Sequence, residues 1–339
     1  MNFDLNYKKA LLYSLDEKIT LSQLSKLKKE DLLGYNFDKI YDYVNNNNID
    51  LHIKNTDSFH FRLSKIKSTP HIIYSIGNFQ LLNKHKIIAI VGPRNLSNYG
   101  KKILEELFDK LKGYKNIATI SGLASGIDQL CHNLSIENNI PTISVLGGGI
   151  GYFLSSSDRN IINKILENNG LILSEFKIKM RPTNYSFPQR NRIIAGISDF
   201  VFVPEAGDKS GSLITVDFAK KMNIPVFASP NSIFEKNSKG VNRYISKGFI
   251  ESIFDIQDFV QDKLGNNEEY INNKENNKNI SELNEIEKKI YLSISQENIS
   301  LKEIIVNSGL SYDEVITNIS MLEIKGFIYE SNSGYWSIL

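Results

Sequence analysis

The stretch IIAIVGPRNLSNYGKKILEELFDKLKG, residues 87–113, holds a short apolar run, a loop and an amphipathic helical pattern in immediate succession. The run IIAIVG (87–92) suits a strand buried on both faces, and YGKKILEELFDKLKG (99–113) repeats apolar residues at helical spacing. The same unit recurs along the chain. Further buried-strand candidates are NIATISG (116–122), PTISVLGG (141–148), LILSEF (171–176), DFVFVPEAG (199–207) and IPVFASP (224–230). Helical patterns lie between them at 126–139, 158–170 and 212–223. Short apolar strands alternating with amphipathic helices predict an α/β fold: a Rossmann-like, doubly wound, mostly parallel sheet covered by helices on both faces.

Outward from this core, residues 1–75 carry short helical patterns (7–15, 20–34 and 37–44) and predict a small helical, SAM-like domain. Thr20 or Ser22 is a candidate cap, and Gly34 a candidate helix end. The core is expected over 76–262. Residues 263–280 are polar and Asn-rich, the composition of a flexible linker. Residues 281–339 predict three helices and a hairpin around Ser333-Gly334, which is the winged-helix order. Asp313, Glu314 and Glu323 on its third helix are unlike the basic and amide side chains that read DNA, so nucleic acid and a protein partner both remain open for it.

Composition narrows the function. The 339-residue chain has a net charge of only +2, so any nucleic-acid contact must use locally concentrated positive charge. Its one cysteine, Cys131, excludes an internal disulfide framework and fits a cytoplasmic protein. No apolar run has the length of a membrane span and no membrane partner is expected. The Asn runs match the codon bias of an AT-rich genome, which also favours Ile and Lys.

In a parallel α/β sheet, ligands bind in the loops at the carboxyl ends of strands. Four stretches stand out there. In GPRNLSNYG (92–100), Gly92 would admit a ligand close to backbone, Arg94 projects from the loop, and the helix near Tyr99 offers free N–H groups to an anion. Pro93 and Arg94 occupy the room that a dinucleotide pyrophosphate would need. In SGLASGIDQLCH (121–132), Asp128 and His132 are four apart on a helix and predict a structural contact; a metal site lacks further ligands. In FPQRNRIIAG (187–196), Phe187 could stack on a base, while Arg190 and Arg192, ahead of a helix start, could hold phosphates or bridge to Glu175 or Glu205. In PEAGDKSGSLITVDFA (204–219), Lys209, Ser210, Gly211 and Ser212 form an anion cradle at a helix N-terminus. Asn242 and Arg243 in SKGVNRYISKG (238–248) are candidates for the same rim. No Walker motif, GxSxG elbow or activated cysteine accompanies these cradles. Several phosphate sites and an aromatic without a nucleophile suit a chain of phosphates, hence single-stranded nucleic acid.

GPRNLSNYG, SGLASGID…H, FPQRNRIIAG, EAGDKSGSLIT and SKGVNR, in this order, resemble the DprA/Smf family of DNA-processing proteins over about residues 80–260. The resemblance implies single-stranded DNA binding, a homodimer formed through the core, loading of the RecA recombinase in natural transformation, and neither enzymatic activity nor a cofactor. It implies a DNA pocket built from Gly92, Arg94, Phe187, Arg190, Arg192 and the Lys209–Ser212 loop. Two departures are visible: LSSSD (154–158) replaces a Tyr-Pro-x-x-Asn loop that in some relatives carries a basic residue, and Pro93 stands where relatives often have Thr or Ser. Two other functions compete. One is a nucleotide-hydrolysing enzyme of the phosphoribohydrolase type, opposed by Glu205 preceding rather than following the glycine-rich loop. The other is a winged-helix regulator or protein-interaction module.

Overall fold

In a computed structural model, the described residues are 4–16, 19–32, 35, 37–84, 86–265, 283–294, 299–325, 327–332 and 334–338. The chain divides into two compact units, Met1–Gly265 and Asn266–Leu339.

The first unit is built on a nine-stranded sheet. Its strands are β1 (Asp50–Ile53), β2 (Ile72–Gly77), β3 (Lys86–Ile90), β4 (Ile117–Ser121), β5 (Thr142–Val145), β6 (Leu171–Ser174), β7 (Phe200–Phe202), β8 (Val226–Ala228) and β9 (Glu251–Ser252), in the order β1-β2-β6-β5-β4-β3-β7-β8-β9. The pairings from β6 through β9 are parallel, as the apolar runs predict, while β2 meets β6 and β1 meets β2 antiparallel. The chain winds outward from β3 to β6, then returns to place β7 on the other side of β3. The reversal of direction at β3 is the switch point where open α/β sheets leave a crevice.

Helices α1 (Leu5–Leu15), α2 (Leu21–Lys26), α3 (Phe37–Asn46), α4 (Phe61–Ser64), α5 (Asn98–Leu111), α6 (Ile127–Glu137), α7 (Ile150–Leu154), α8 (Arg159–Glu167), α9 (Ser186–Ile197), α10 (Ser212–Lys221), α11 (Lys239–Ser246) and α12 (Ile256–Leu264) complete the unit. One face of the sheet packs Ile87, Ala89 and Val201 against Ile193 and Ile197 of α9 and Val216 of α10. The other packs Ile88, Ile90 and Phe202 against Leu104 and Phe108 of α5 and Phe259 of α12. At roughly 25 cal/mol per Å² of apolar surface, these two layers are the main source of stability.

Residues 1–75 correct the expectation of a separate helical domain. They supply β1 and the start of β2, and Ala10, Leu11 and Val44 of α1 and α3 share one core with Ile72, Tyr74, Ile150 and Ile172. The apolar faces of these short helices have too little surface to bury among themselves, and the sheet supplies it. Thr20 does cap α2, in a reciprocal box with Gln23. Gly34 lies outside the described residues, as do linker positions 266–280; residues 263–265 finish α12 and its Gly265 cap.

Four helices hand over to the next strand in the same way. After α3, α6, α8 and α10 come Asn48, Asn139, Asn169 and Asn223, each with φ between 51° and 55°. The following N–H reaches back to the helix: Ile49 to Val44 O at 2.9 Å, Ile140 to Ser135 O at 2.8 Å, Gly170 to Ile165 O at 2.9 Å and Ile224 to Ala219 O at 2.9 Å. This is the Schellman stop, in which asparagine takes the left-handed position usually given to glycine.

The second unit contains α13 (Glu285–Ser293), α14 (Leu301–Ser308), α15 (Tyr312–Ile324) and a three-stranded antiparallel sheet in the order β10 (Ile299–Ser300), β12 (Tyr335–Ile338), β11 (Ile328–Asn332). Gly309, at φ 68°, ends α14, and Ser311 opens α15 in a capping box with Glu314. The sequence pattern predicts the hairpin; β10 is added because Ile299 and Ser300 pair with Trp336 and Tyr335. Ile290, Ile304, Val315, Leu322 and Phe327 form this unit's own core.

Candidate nucleic-acid interface

A cleft of about 920 Å³ opens at the switch point of the first unit. Three sheet loops build it: Val91–Asn95 after β3, Ala124–Asp128 after β4 and Gly207–Ser212 after β7. The start of α9 and the segment Lys236–Lys239 complete the walls. Of the residues expected at the site, Gly92, Arg94, Phe187, Arg190 and Lys209 to Ser212 are brought together here. Arg192, Asn242 and Arg243 are not among its walls.

Arg94 is exposed, and its guanidinium lies 5.3 Å from the centre of the Phe187 ring. The contact holds the arginine by cation–π attraction while leaving its charge accessible. Phe187 is half-buried, with its ring edge against Gly147. Lys209, Lys236 and Lys239 are exposed, and with Arg94 they form no ion pair among the described residues. Sequence reasoning missed Lys236 and Lys239. Their segment reaches the cleft because Asn237 donates to Asn95 O at 2.9 Å and to Glu205 at 3.2 Å, and because Val241 N–H donates to Ala206 O.

FPQRNRIIAG requires a correction. α9 begins at Ser186, so both arginines lie inside the helix rather than ahead of it. Pro188 sits in the first turn, where its missing N–H costs nothing. Arg192 is buried and meets Glu175 in a bidentate pair at 2.6 and 2.7 Å, so it braces the fold behind the cleft. Burial pushes the Glu175 carboxyl upward, and the Arg192 guanidinium opposes that shift. Arg190 is also buried, yet it reaches the cleft floor, donating to Val145 O and, at 3.1 Å, to Asn191. A Cβ on Gly122 would come within 2.3 Å of both Arg190 Nη1 and Asp128 Oδ2, so glycine is what admits these two side chains. Burial raises the Asp128 carboxyl pKa, with Arg190 acting against it, and lowers that of Arg190.

The expected Asp128–His132 contact is replaced by separate partners. Asp128 turns to Arg190 and the cleft. His132, fully buried, stands 2.5 Å from Gly122 O and 2.8 Å from Thr142 Oγ1. Because a carbonyl only accepts, Nε2 carries the proton and Nδ1 accepts from Thr142. Burial pushes the His132 pKa down to about 4, so the ring is neutral near pH 7.

Gly92 lines the cleft and also meets a packing demand. A Cβ there would lie 2.4 Å from Ile127, so the approach of α6 to this loop also requires glycine. The N-terminus of α5 is capped from within: Ser97 accepts from Gly100 N–H, and Glu205 accepts from Ser97 N–H at 2.7 Å and Oγ at 2.5 Å. By contrast, α10 starts at Ser212 without a side-chain cap, and Gly211 has nothing within 4 Å of a built Cβ. Its first turn faces the cleft, with Ser212 N–H 3.4 Å from Ser210 Oγ and Leu213 N–H donating to Ser210 O at 3.2 Å. Asn242 is held by Asn231 at 2.8 and 3.3 Å, and Arg243 by Asp208 at 3.3 and 3.5 Å. The LSSSD segment does not line the cleft. Among the described residues, no cluster could hold a metal ion and no helix is long and apolar enough to cross a membrane.

The chain is similar to the DNA processing protein DprA of Bacillus subtilis, 34% identical over 212 residues that cover 62% of this chain and 70% of the relative. The corresponding protein of Streptococcus pneumoniae is 37% identical over 57% of this chain and 67% of its own. Among solved structures, DNA processing protein A of Helicobacter pylori, described with its single-stranded DNA binding mode, aligns at TM-score 0.57 and 29% identity, covering 64% of this chain and 95% of that one. The Streptococcus pneumoniae structure aligns at 0.59 and 29%, covering 77% and 98%. The model of the DNA recombination-mediator protein A family matches residues 50–263, from β1 to the end of α12, and the chain belongs to that DprA/Smf family of DNA-processing proteins.

Proposed function

We propose that this chain binds single-stranded DNA along the cleft and loads the RecA recombinase onto it, as a cytoplasmic homodimer joined through the first unit, without a cofactor. The observation that carries it is the set Arg94, Lys209, Lys236 and Lys239, four exposed cations with no ion-pair partner among the described residues, around the start of α10 and the Phe187 ring. Cations left unpaired at a concave surface attract a polyanion and release its counterions on contact. Arg190, at the floor, is the member of the buried pair that faces the strand.

Binding without catalysis is supported by Glu205. It is 1% exposed and occupied by Ser97 and Asn237, which leaves it no freedom to act as a general base. The second unit has the element order of a winged helix, and its third helix suits a protein partner. Asp313 and Glu314 stand in its first turn, while Tyr312, Ile316 and Ile324 are exposed.

Fluorescence anisotropy of labelled single- and double-stranded oligonucleotides tests the binding. Tighter binding of the single strand is expected, and equal affinity would sink the proposal. Recombinase filament formation on strands coated with single-strand-binding protein tests the loading, and sedimentation tests the dimer.

A further inference from the structure

We propose that Tyr185 and Phe234 are stacking platforms on two loops bordering the cleft, holding bases of nucleotides just outside it; this rests on the single-stranded DNA reading above. Tyr185 is 87% exposed and Phe234 89%. Single exposed aromatics are ordinary on protein surfaces. These two stand within two residues of the cleft walls, Tyr185 between Asn184 and Phe187, Phe234 ahead of Lys236.

Both rings project from fixed backbone. On the first loop, Thr183 N–H donates to Ser186 Oγ at 2.8 Å and Ser186 N–H to Thr183 Oγ1 at 3.1 Å, while Ser186 Oγ donates to Gly147 O. On the second, Asn231 is clasped by Asn242, Ser232 N–H donates to Asn231 Oδ1 at 2.6 Å, and Glu235 N–H to Ser232 O at 3.2 Å. An aromatic with a pinned backbone loses little freedom when a base lies on it. Phe187 is less suited to bases outside the cleft, since Gly147 and Arg94 already flank its ring. Every base has a π-face, so platforms of this kind lengthen the footprint without choosing sequence.

The test uses the full chain with oligo-dT of graded length. Tyr185→Ala and Phe234→Ala should each bind longer oligomers at least about fivefold more weakly. Affinity for the shortest bound oligomer should be unchanged, as should the salt dependence, because a ring releases no counterions. Tyr185→Phe should retain binding. In a Trp336→Phe background, which removes the chain's one tryptophan, Tyr185→Trp should lose fluorescence on adding oligo-dT. If the wild type binds oligo-dT but both alanine variants match it at every length and the introduced tryptophan does not respond, the platforms are overturned while the cleft stands. If the wild type does not bind, both proposals fall.

Discussion

The front and the back of the cleft use the same residue types for opposite purposes. At the front, Arg94, Lys209, Lys236 and Lys239 are exposed and form no ion pair among the described residues, Arg94 acting on Asp128 only at longer range. At the back, Arg192 is closed by Glu175, and Arg190 stands against Asp128 and a backbone carbonyl. Charge at the front is available to a ligand, that of Arg192 at the back is consumed by the fold, and Arg190 stands between the two, buried yet reaching the cleft floor. Side-chain type and proximity in sequence do not separate the two cases; burial and a bonded partner do.

The largest effect that would break this comparison concerns Arg192. Arg192→Ala should destabilise the first unit by about 3–5 kcal/mol, because it strands a buried carboxylate. Urea denaturation measures this, and a loss below about 1 kcal/mol would move Arg192 to the functional side. Second is acid sensitivity. With its folded pKa lowered to about 4, His132 contributes stability that is fully present above its unfolded value of about 6.5 and is lost as pH falls towards 4. Between pH 6.5 and 5 that amounts to about 2 kcal/mol at 1.36 kcal/mol per unit. Denaturation at pH 7 and pH 5 should show the loss, and a shallower one in His132→Gln. Smaller still, Arg94→Ala should leave the melting temperature within the range of ordinary surface changes. It should lower the log–log salt slope of single-strand binding by ~0.7, the value for one phosphate contact. An unchanged slope would remove Arg94 from the strand's path. The smallest effect is expected from deleting residues 281–339, whose composition is acidic. Single-strand affinity should persist, and its disappearance would shift the site away from the cleft.

Much of the core was legible because six strands are short, mostly apolar runs and their helices repeat at 3.6. β2 is just as apolar, IIYSIG, but it follows helical patterns and an Asn run, and it enters the sheet antiparallel, outside the alternating logic. β1 has only four residues, and its partner lies some twenty positions on. In the site, Arg94 and the Lys209–Ser212 loop were legible because they follow strands directly. Lys236 was not, since no motif marks NSIFEKN and a tertiary bond through Glu205 and Asn237 delivers it, and Lys239, though inside SKGVNR, was passed over for Asn242 and Arg243. The roles of Arg190 and Arg192 depended on where α9 begins. Moving its start from beyond Arg192 back to Ser186 turns both side chains inward.

The four asparagine stops change the meaning of the chain's composition. An Asn excess reads as a genomic accent, yet at Asn48, Asn139, Asn169 and Asn223 it marks the reversal from helix to strand, directly before β1, β5, β6 and β8. A lineage drifting towards asparagine codons thus drifts towards a residue that this architecture already accepts at its corners. Compositional pressure can be absorbed there without loss of topology, while positions such as Gly122, where a methyl group would displace Arg190 and Asp128, stay closed to it.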